Sequence, residues 1–254
     1  CFSGYFFCIF LKTELIMTTN KNINFDPSEI EKFERLSSQW WDPSGDFEPL
    51  HKINPLRLDY ICQHTELENK KIIDIGCGGG ILSESIDQKG GKVTGIDIGE
   101  RAISVARLHQ KESRTNVEYL QTTAEDIAEE RPNEYDVLTC LEMLEHVPSP
   151  SKVIRACKKL VKPGGSLFFS TINRNPKSFL FAIIGAEYIL RILPKGTHNY
   201  EMFIKPSELE HWCRSENLNL ISSIGIHYNP LINMYNLNKN IDVNYIMYFN
   251  NSSE

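Results

Sequence analysis

The run Ile72-Ile73-Asp74-Ile75-Gly76-Cys77-Gly78-Gly79-Gly80, followed by Val93-Thr94-Gly95-Ile96-Asp97, restricts the fold of this chain more than any other feature. A short β-rich apolar segment that ends in glycines and opens a helix lets backbone approach a bound nucleotide-like ligand, because glycine has no Cβ and tolerates positive φ. The second run also reads as a strand. It ends in an acid 21 residues after Gly76, where a carboxylate can accept both hydroxyls of an adenosine ribose. Together the two runs predict an adenosine site on an α/β sheet.

Glycine spacing discriminates between cofactors. A dinucleotide fingerprint would need glycine at position 81, which is Ile81, so an NAD(P)-dependent oxidoreductase is the disfavoured alternative. The pattern acid-x-Gly-x-Gly-x-Gly from Asp74 to Gly80 resembles the first motif of class I S-adenosylmethionine methyltransferases. In that resemblance Asp74 orders the loop, Gly76 and Gly78 admit the methionine half of the cofactor, and Asp97 holds the ribose.

Composition narrows the class further. The chain has 254 residues, a length common for one α/β unit, and a formal charge of −6 without a long basic run, which argues against a nucleic-acid substrate. Seven cysteines without a C-x-x-C pair read as reduced thiols rather than a disulfide framework or zinc site, with Cys77 a small filler in the loop. Cys1 to Ile16 is apolar but is interrupted by Lys12 and Glu14 and lacks a basic n-region. Residues 1–16 are therefore expected to be upstream translation before Met17 or a weak targeting sequence, and residues 1–25 an N-terminal extension outside the fold. Residues 26–250 are expected to form a single domain.

Asp26-Pro27-Ser28-Glu29 offers an N-cap, a proline at N1 and a capping-box acid at N3, and Ile30, Phe33, Leu36 and Trp40 follow at helical spacing. Asn54-Pro55 reads as the start of a second helix containing Arg57. Strands are expected at 71–75, 92–96, 117–121, 135–139, 166–172, 218–226 and 242–248. Helices are expected near 80–89, 100–112, 150–161 and 206–216. This alternation predicts a Rossmann-like three-layer sandwich with a seven-stranded, mostly parallel sheet and ligands at the carboxyl ends of the strands.

After the fourth strand comes Cys140-Leu141-Glu142-Met143-Leu144-Glu145-His146. If this turn is helical, Glu142, Glu145 and His146 share one face, close enough to bind a cation or to relay a proton. A phenol, with a pKa of about 10, needs a general base or a cation for methylation at neutral pH. The spacing leaves open whether the cluster binds Mg²⁺ or Zn²⁺, acts as a base, or fixes the loop.

Phe33 to Trp41, His51-Lys52-Ile53-Asn54-Pro55-Leu56-Arg57-Leu58, the glycine loop, Glu142 to His146, Phe168 to Asn175, Gly185-Ala186-Glu187-Tyr188-Ile189-Leu190-Arg191 and Pro194 to His198 are similar to the ubiquinone-biosynthesis O-methyltransferase family. The resemblance implies a class I S-adenosylmethionine-dependent enzyme that methylates a 2-polyprenyl-6-hydroxyphenol and 3-demethylubiquinol. It also implies that Arg57, Gly76, Asp97 and Leu141 contact the cofactor, and that Glu142, Glu145 and His146 match the family's divalent-cation ligands. An arginine at 57 suits bidentate binding of the methionyl carboxylate. Adenine recognition falls to the backbone of Thr123 and Ala124.

Phe179 to Leu193 is strongly apolar and flanked by Arg174, Lys177 and Lys195. Too short to span a bilayer, it reads as an interfacial or lid segment, or as a helix buried against the sheet. The polyprenyl substrate implied by the resemblance favours an insertion at 175–200 that touches the membrane. That places the protein in the cytoplasm, peripheral to the inner membrane and in reach of other ubiquinone-biosynthesis proteins. A non-catalytic lipid-binding component of that assembly is the second alternative.

Overall fold

Apolar runs flanked by amphipathic helices must bury two sheet faces, and a parallel sheet covered on both sides does so. The computed structural model describes residues 24–178, 200–229 and 231–252. Among these lie strands β1 (Lys71–Ile75), β2 (Lys92–Asp97), β3 (Glu118–Gln121), β4 (Tyr135–Leu141), β5 (Val161–Ile172), β6 (Leu218–Asn229), β7 (Met234–Asn238) and β8 (Asn244–Asn251). They form one sheet in the order β3-β2-β1-β4-β5-β8-β6-β7. The first five pair in parallel, and β8 inserts antiparallel between β5 and β6.

Helices α1 (Pro27–Leu36), α2 (Glu48–His64), α3 (Ile81–Asp87), α4 (Glu100–Ser113), α5 (Ala124–Glu130), α6 (Pro150–Leu160) and α7 (Pro206–Ser215) surround the sheet. Side chains of a strand alternate between its faces. Ile73 and Ile75 of β1 accordingly pack with Ile127, Ile154 and Leu209 of α5, α6 and α7. Ile72 faces the other layer, with Ile61, Ile86 and Ile103 of α2, α3 and α4.

The sheet has eight strands where seven were expected. The additional β7 is an Asn-rich edge that, among the described residues, pairs only with β6, so hairpin pairing rather than intrinsic propensity makes it a strand. Helix α2 begins at Glu48 rather than at Asn54 and carries Pro55 in its interior. Burial of Ile53, Leu58, Tyr60 and Ile61 holds it through the backbone hydrogen bond that proline cannot make. Helix α5 had no counterpart in the expected elements, and β5 begins five residues earlier, running through Pro163-Gly164-Gly165. Among the described residues no helix is long and apolar enough to cross a membrane. Residues 1–23 and 179–199, which hold most of the expected N-terminal extension and of the 175–200 insertion, lie outside the described residues.

Candidate active site

The sheet order reverses between β1 and β4, and ligands of such sheets bind beyond the carboxyl ends of the strands at that point. Asp74 at the end of β1 pairs in register with Thr139 of β4. Its carboxylate accepts from Thr139 Oγ1 at 2.7 Å and from Ser83 Oγ of α3 at 2.6 Å. Burial pushes its pKa up to about 6, against the two hydrogen bonds that favour the charged form. Asp74 therefore fastens β1, β4 and α3 beneath the loop.

The loop itself has left-handed backbone at Gly76 (φ 72°), Gly78 (φ 54°) and Gly80 (φ 89°). A Cβ at Gly78 would lie 2.0 Å from the Trp40 indole, and one at Gly76 would lie 2.6 Å from Met143. The Trp40 ring stacks on Phe47, and Trp41 Nε1 donates to Gly79 O at 2.8 Å. These contacts strap the 3₁₀ turn Ser37–Gln39 and the residues after it across the glycines.

Asp97, at the end of β2, accepts from Gly78 N at 3.0 Å and from Gly99 N at 2.8 Å. Burial raises its pKa against these bonds. A carboxylate has about four acceptor positions, so capacity remains for a ligand's hydroxyls. Thr123 caps α5, its Oγ1 accepting from Asp126 N at 3.1 Å, and Ala124 follows it. A cavity of about 840 Å³ brings together Arg57, Gly76, Asp97, Thr123, Ala124 and Leu141, and reaches Glu142, Glu145 and His146. Arg57 is buried, with an Nε that has no hydrogen-bond partner among the described residues. An unpaired guanidinium donor, glycines under close cover and an acceptor carboxylate fit an adenosine cofactor with an anionic amino-acid end.

Segment 140–146 is not the continuous helical turn that the spacing suggested. Glu142 has left-handed backbone (φ 55°), and only Leu144–His146 forms a 3₁₀ turn. Three donors converge on Glu142 Oε1: Arg57 at 2.9 Å, Ser170 Oγ at 2.7 Å and Asn244 Nδ2 at 3.1 Å. Burial opposes ionisation of Glu142, but the Arg57 charge and the Ser170 and Asn244 bonds outweigh it and lower its pKa. Glu145 is also buried, and burial together with the neighbouring Glu142 charge pushes it well above the usual carboxylate range. Of the two, Glu145 is the carboxyl whose ionisation burial and the neighbouring charge oppose. His146 turns elsewhere, its Nδ1 lying 2.7 Å from Glu29 Oε2 of α1.

The expectation that Glu142, Glu145 and His146 form a cation site finds no support in this arrangement. Among the described residues no group of three or more His, Cys, Asp or Glu side chains is placed to hold a metal ion. Glu142 is already paired with Arg57, burial opposes a charge on Glu145, and His146 is held by Glu29. The three do not fit a divalent ion as arranged, and no chemical step is routed through one.

Sequence reasoning missed Glu29, Ser170 and Asn244 as parts of the site. Glu29 carried a local signal, but it pointed to helix capping. Asn244 lies 102 residues from its partner, and nothing in the local sequence marks it.

A methyltransferase-domain family profile matches residues 57–223. The chain is 56% identical over 231 residues to a ubiquinone biosynthesis O-methyltransferase from Saccharophagus degradans, covering 91% of this chain and 98% of that one. It is 59% identical over 224 residues to the enzyme of the same name from Pseudomonas fluorescens, covering 88% and 97%. Among solved structures, a SAM-dependent methyltransferase from Thermotoga maritima superposes with a TM-score of 0.65 at 16% identity, covering 88% of this chain and 100% of that one. Magnesium protoporphyrin IX methyltransferase from Synechocystis, with bound SAM, gives 0.61 at 17% identity, covering 92% and 100%. At such identities the structural matches establish the Rossmann-like methyltransferase fold.

Proposed function

The chain belongs to the ubiquinone biosynthesis O-methyltransferase family and is an S-adenosylmethionine-dependent O-methyltransferase of that pathway; from that premise we propose that it methylates a phenolic oxygen of a polyprenylated phenol and of the related catechol, with His146 as general base. The substrates would be a 2-polyprenyl-6-hydroxyphenol and 3-demethylubiquinol. The observation that carries this reading is that one cavity is lined both by Asp97, Thr123 and Ala124 and by Glu142, Glu145 and His146.

Bound S-adenosylmethionine supplies an electrophilic methyl group on a sulfonium. Asp97 holds the ribose hydroxyls, and Arg57 offers its unpaired Nε to the methionyl carboxylate while its terminal nitrogen holds Glu142. His146 would take the phenolic proton as the oxygen bonds to the methyl carbon and the carbon–sulfonium bond breaks, because a neutral phenol is a poor nucleophile. The Glu142–Arg57 pair fixes the wall without adding net charge. Orientation of the two substrates in one enclosed space supplies much of the remaining acceleration.

Replacing His146 by Ala tests the proposal. The expected result is kcat lowered about 10²–10⁴-fold, with affinity for S-adenosylhomocysteine retained in calorimetry. Wild-type turnover by the variant overturns it. So does a strict requirement for added Mg²⁺ or Zn²⁺ after chelation, which would make the cluster a cation site.

A further inference from the structure

We infer that Glu29, delivered by the N-terminal helix α1, is the positioning residue that sets the tautomer and aim of His146. This deepens the reading of His146 as base and rests on it.

The Glu29 Oε2 to His146 Nδ1 distance of 2.7 Å joins groups 117 residues apart. Glu29 sets its Oε2 on Nδ1, and a carboxylate oxygen can only accept. Nδ1 must then carry a hydrogen, and in the neutral ring the lone pair is left on Nε2. A base whose proton position is decided in advance needs no reorientation when substrate arrives.

The rest of α1 is built to hold this pair. At its start, Asn24 Nδ2 donates to Ser149 O and Asn24 Oδ1 accepts from Ser149 N, both at 2.8 Å, three residues past His146. At its far end, Glu34 Oε1 accepts from Arg101 N of α4 at 2.7 Å. Phe33, one turn along from Glu29, meets the His146 ring edge-on with centroids 5.0 Å apart. Helix α1 is therefore clamped at both ends, with the carboxylate and an aromatic wall both set against the imidazole. A capping role would instead turn the Glu29 side chain back to the backbone at Asp26.

The test compares Glu29→Ala, Glu29→Gln, His146→Ala and the Glu29→Ala/His146→Ala double variant in the full chain, with S-adenosylmethionine and a tail-free catechol. Glu29→Ala should lower kcat about 10- to 100-fold while both KM values stay within about 3-fold. Glu29→Gln keeps an acceptor and should recover most of that loss, which also guards against misfolding of the Ala variant. In the His146→Ala background, removing Glu29 should cost nothing further, because residues that act as a unit are non-additive. Nitrogen NMR of the neutral His146 ring should show Nδ1–H in the native protein, and Glu29→Ala should lose that preference.

A loss that appears only in KM, or that adds fully to His146→Ala, reduces Glu29 to a structural contact and overturns the inference. If His146→Ala is slow but Glu29→Ala turns over normally, the positioning role alone fails. If His146→Ala is as fast as the native protein, the base reading fails and this inference fails with it.

Discussion

Asp97 and Asp74 both stand at the ends of parallel strands beside the glycine loop, yet their surroundings give them different duties. Asp97 accepts two backbone N–H groups and keeps room for a ligand. Asp97→Ala should weaken binding of S-adenosylhomocysteine by about 1.5–3 kcal/mol, the worth of hydrogen bonds to a charged group, while circular dichroism shows the fold retained. Asp74 is buried and binds Ser83 and Thr139 of neighbouring elements, so its effect belongs to stability. Its pKa is raised from the ordinary 3.8 to about 6, so the folded state binds its proton more tightly than the unfolded chain. The contribution of Asp74 to stability should therefore fall as pH rises from about 4 through about 6, by about 3 kcal/mol across the window. Urea melts of the native protein and Asp74→Asn should show the gap between them shifting in the variant's favour over that range. A gap that does not change with pH would show that Asp74 ionises normally.

The strap formed by residues after α1 gives the glycine loop its cover. Trp40 lies over Gly78 and Gly79, and Trp41 is tied to the loop through Gly79 O. Trp41 also stacks on His109 of α4, whose Nδ1 lies 3.0 Å from the buried Glu84 of α3. One short segment thus bridges the loop and two helices that flank it. Gly78→Ala should be poorly tolerated for two separate reasons. A left-handed alanine costs about 1–2 kcal/mol, and its Cβ would displace the Trp40 indole. The expected outcome is lower stability in urea, a changed tryptophan emission and weaker S-adenosylhomocysteine binding. Unchanged emission would mean that the indole does not rest on the loop in solution.

Across the whole molecule, the cavity has to admit a substrate whose tail partitions into lipid at about 0.8 kcal/mol per buried CH₂. From the composition of 175–200 we propose that this segment meets the surface of the inner membrane. Lys177, within the described start of that segment, lines the cavity. Vesicle binding should strengthen with anionic lipid and weaken with salt. Replacing Phe179, Phe181 and Ile184 by Ser should slow long-tailed substrates far more than a tail-free catechol. Equal slowing of both, with vesicle binding intact, would refute membrane contact.

The sequence by itself determined what local chemistry encodes: alternating strands and helices, the glycine loop with Asp74 and Asp97, and the acid–imidazole segment, since spacing and backbone freedom are properties of neighbouring residues. Edge strand β7 and the interior Pro55 of α2 were not legible in this way, because long-range pairing and burial override weak local preference. The partners of the site were decided by the tertiary structure alone. Glu142 is neutralised by an arginine 85 residues away, and Glu29 leaves its expected cap to hold His146 because folding brings a stronger partner within reach. Hydrogen bonds of that kind join groups that only the packed sheet and its clamped first helix bring together.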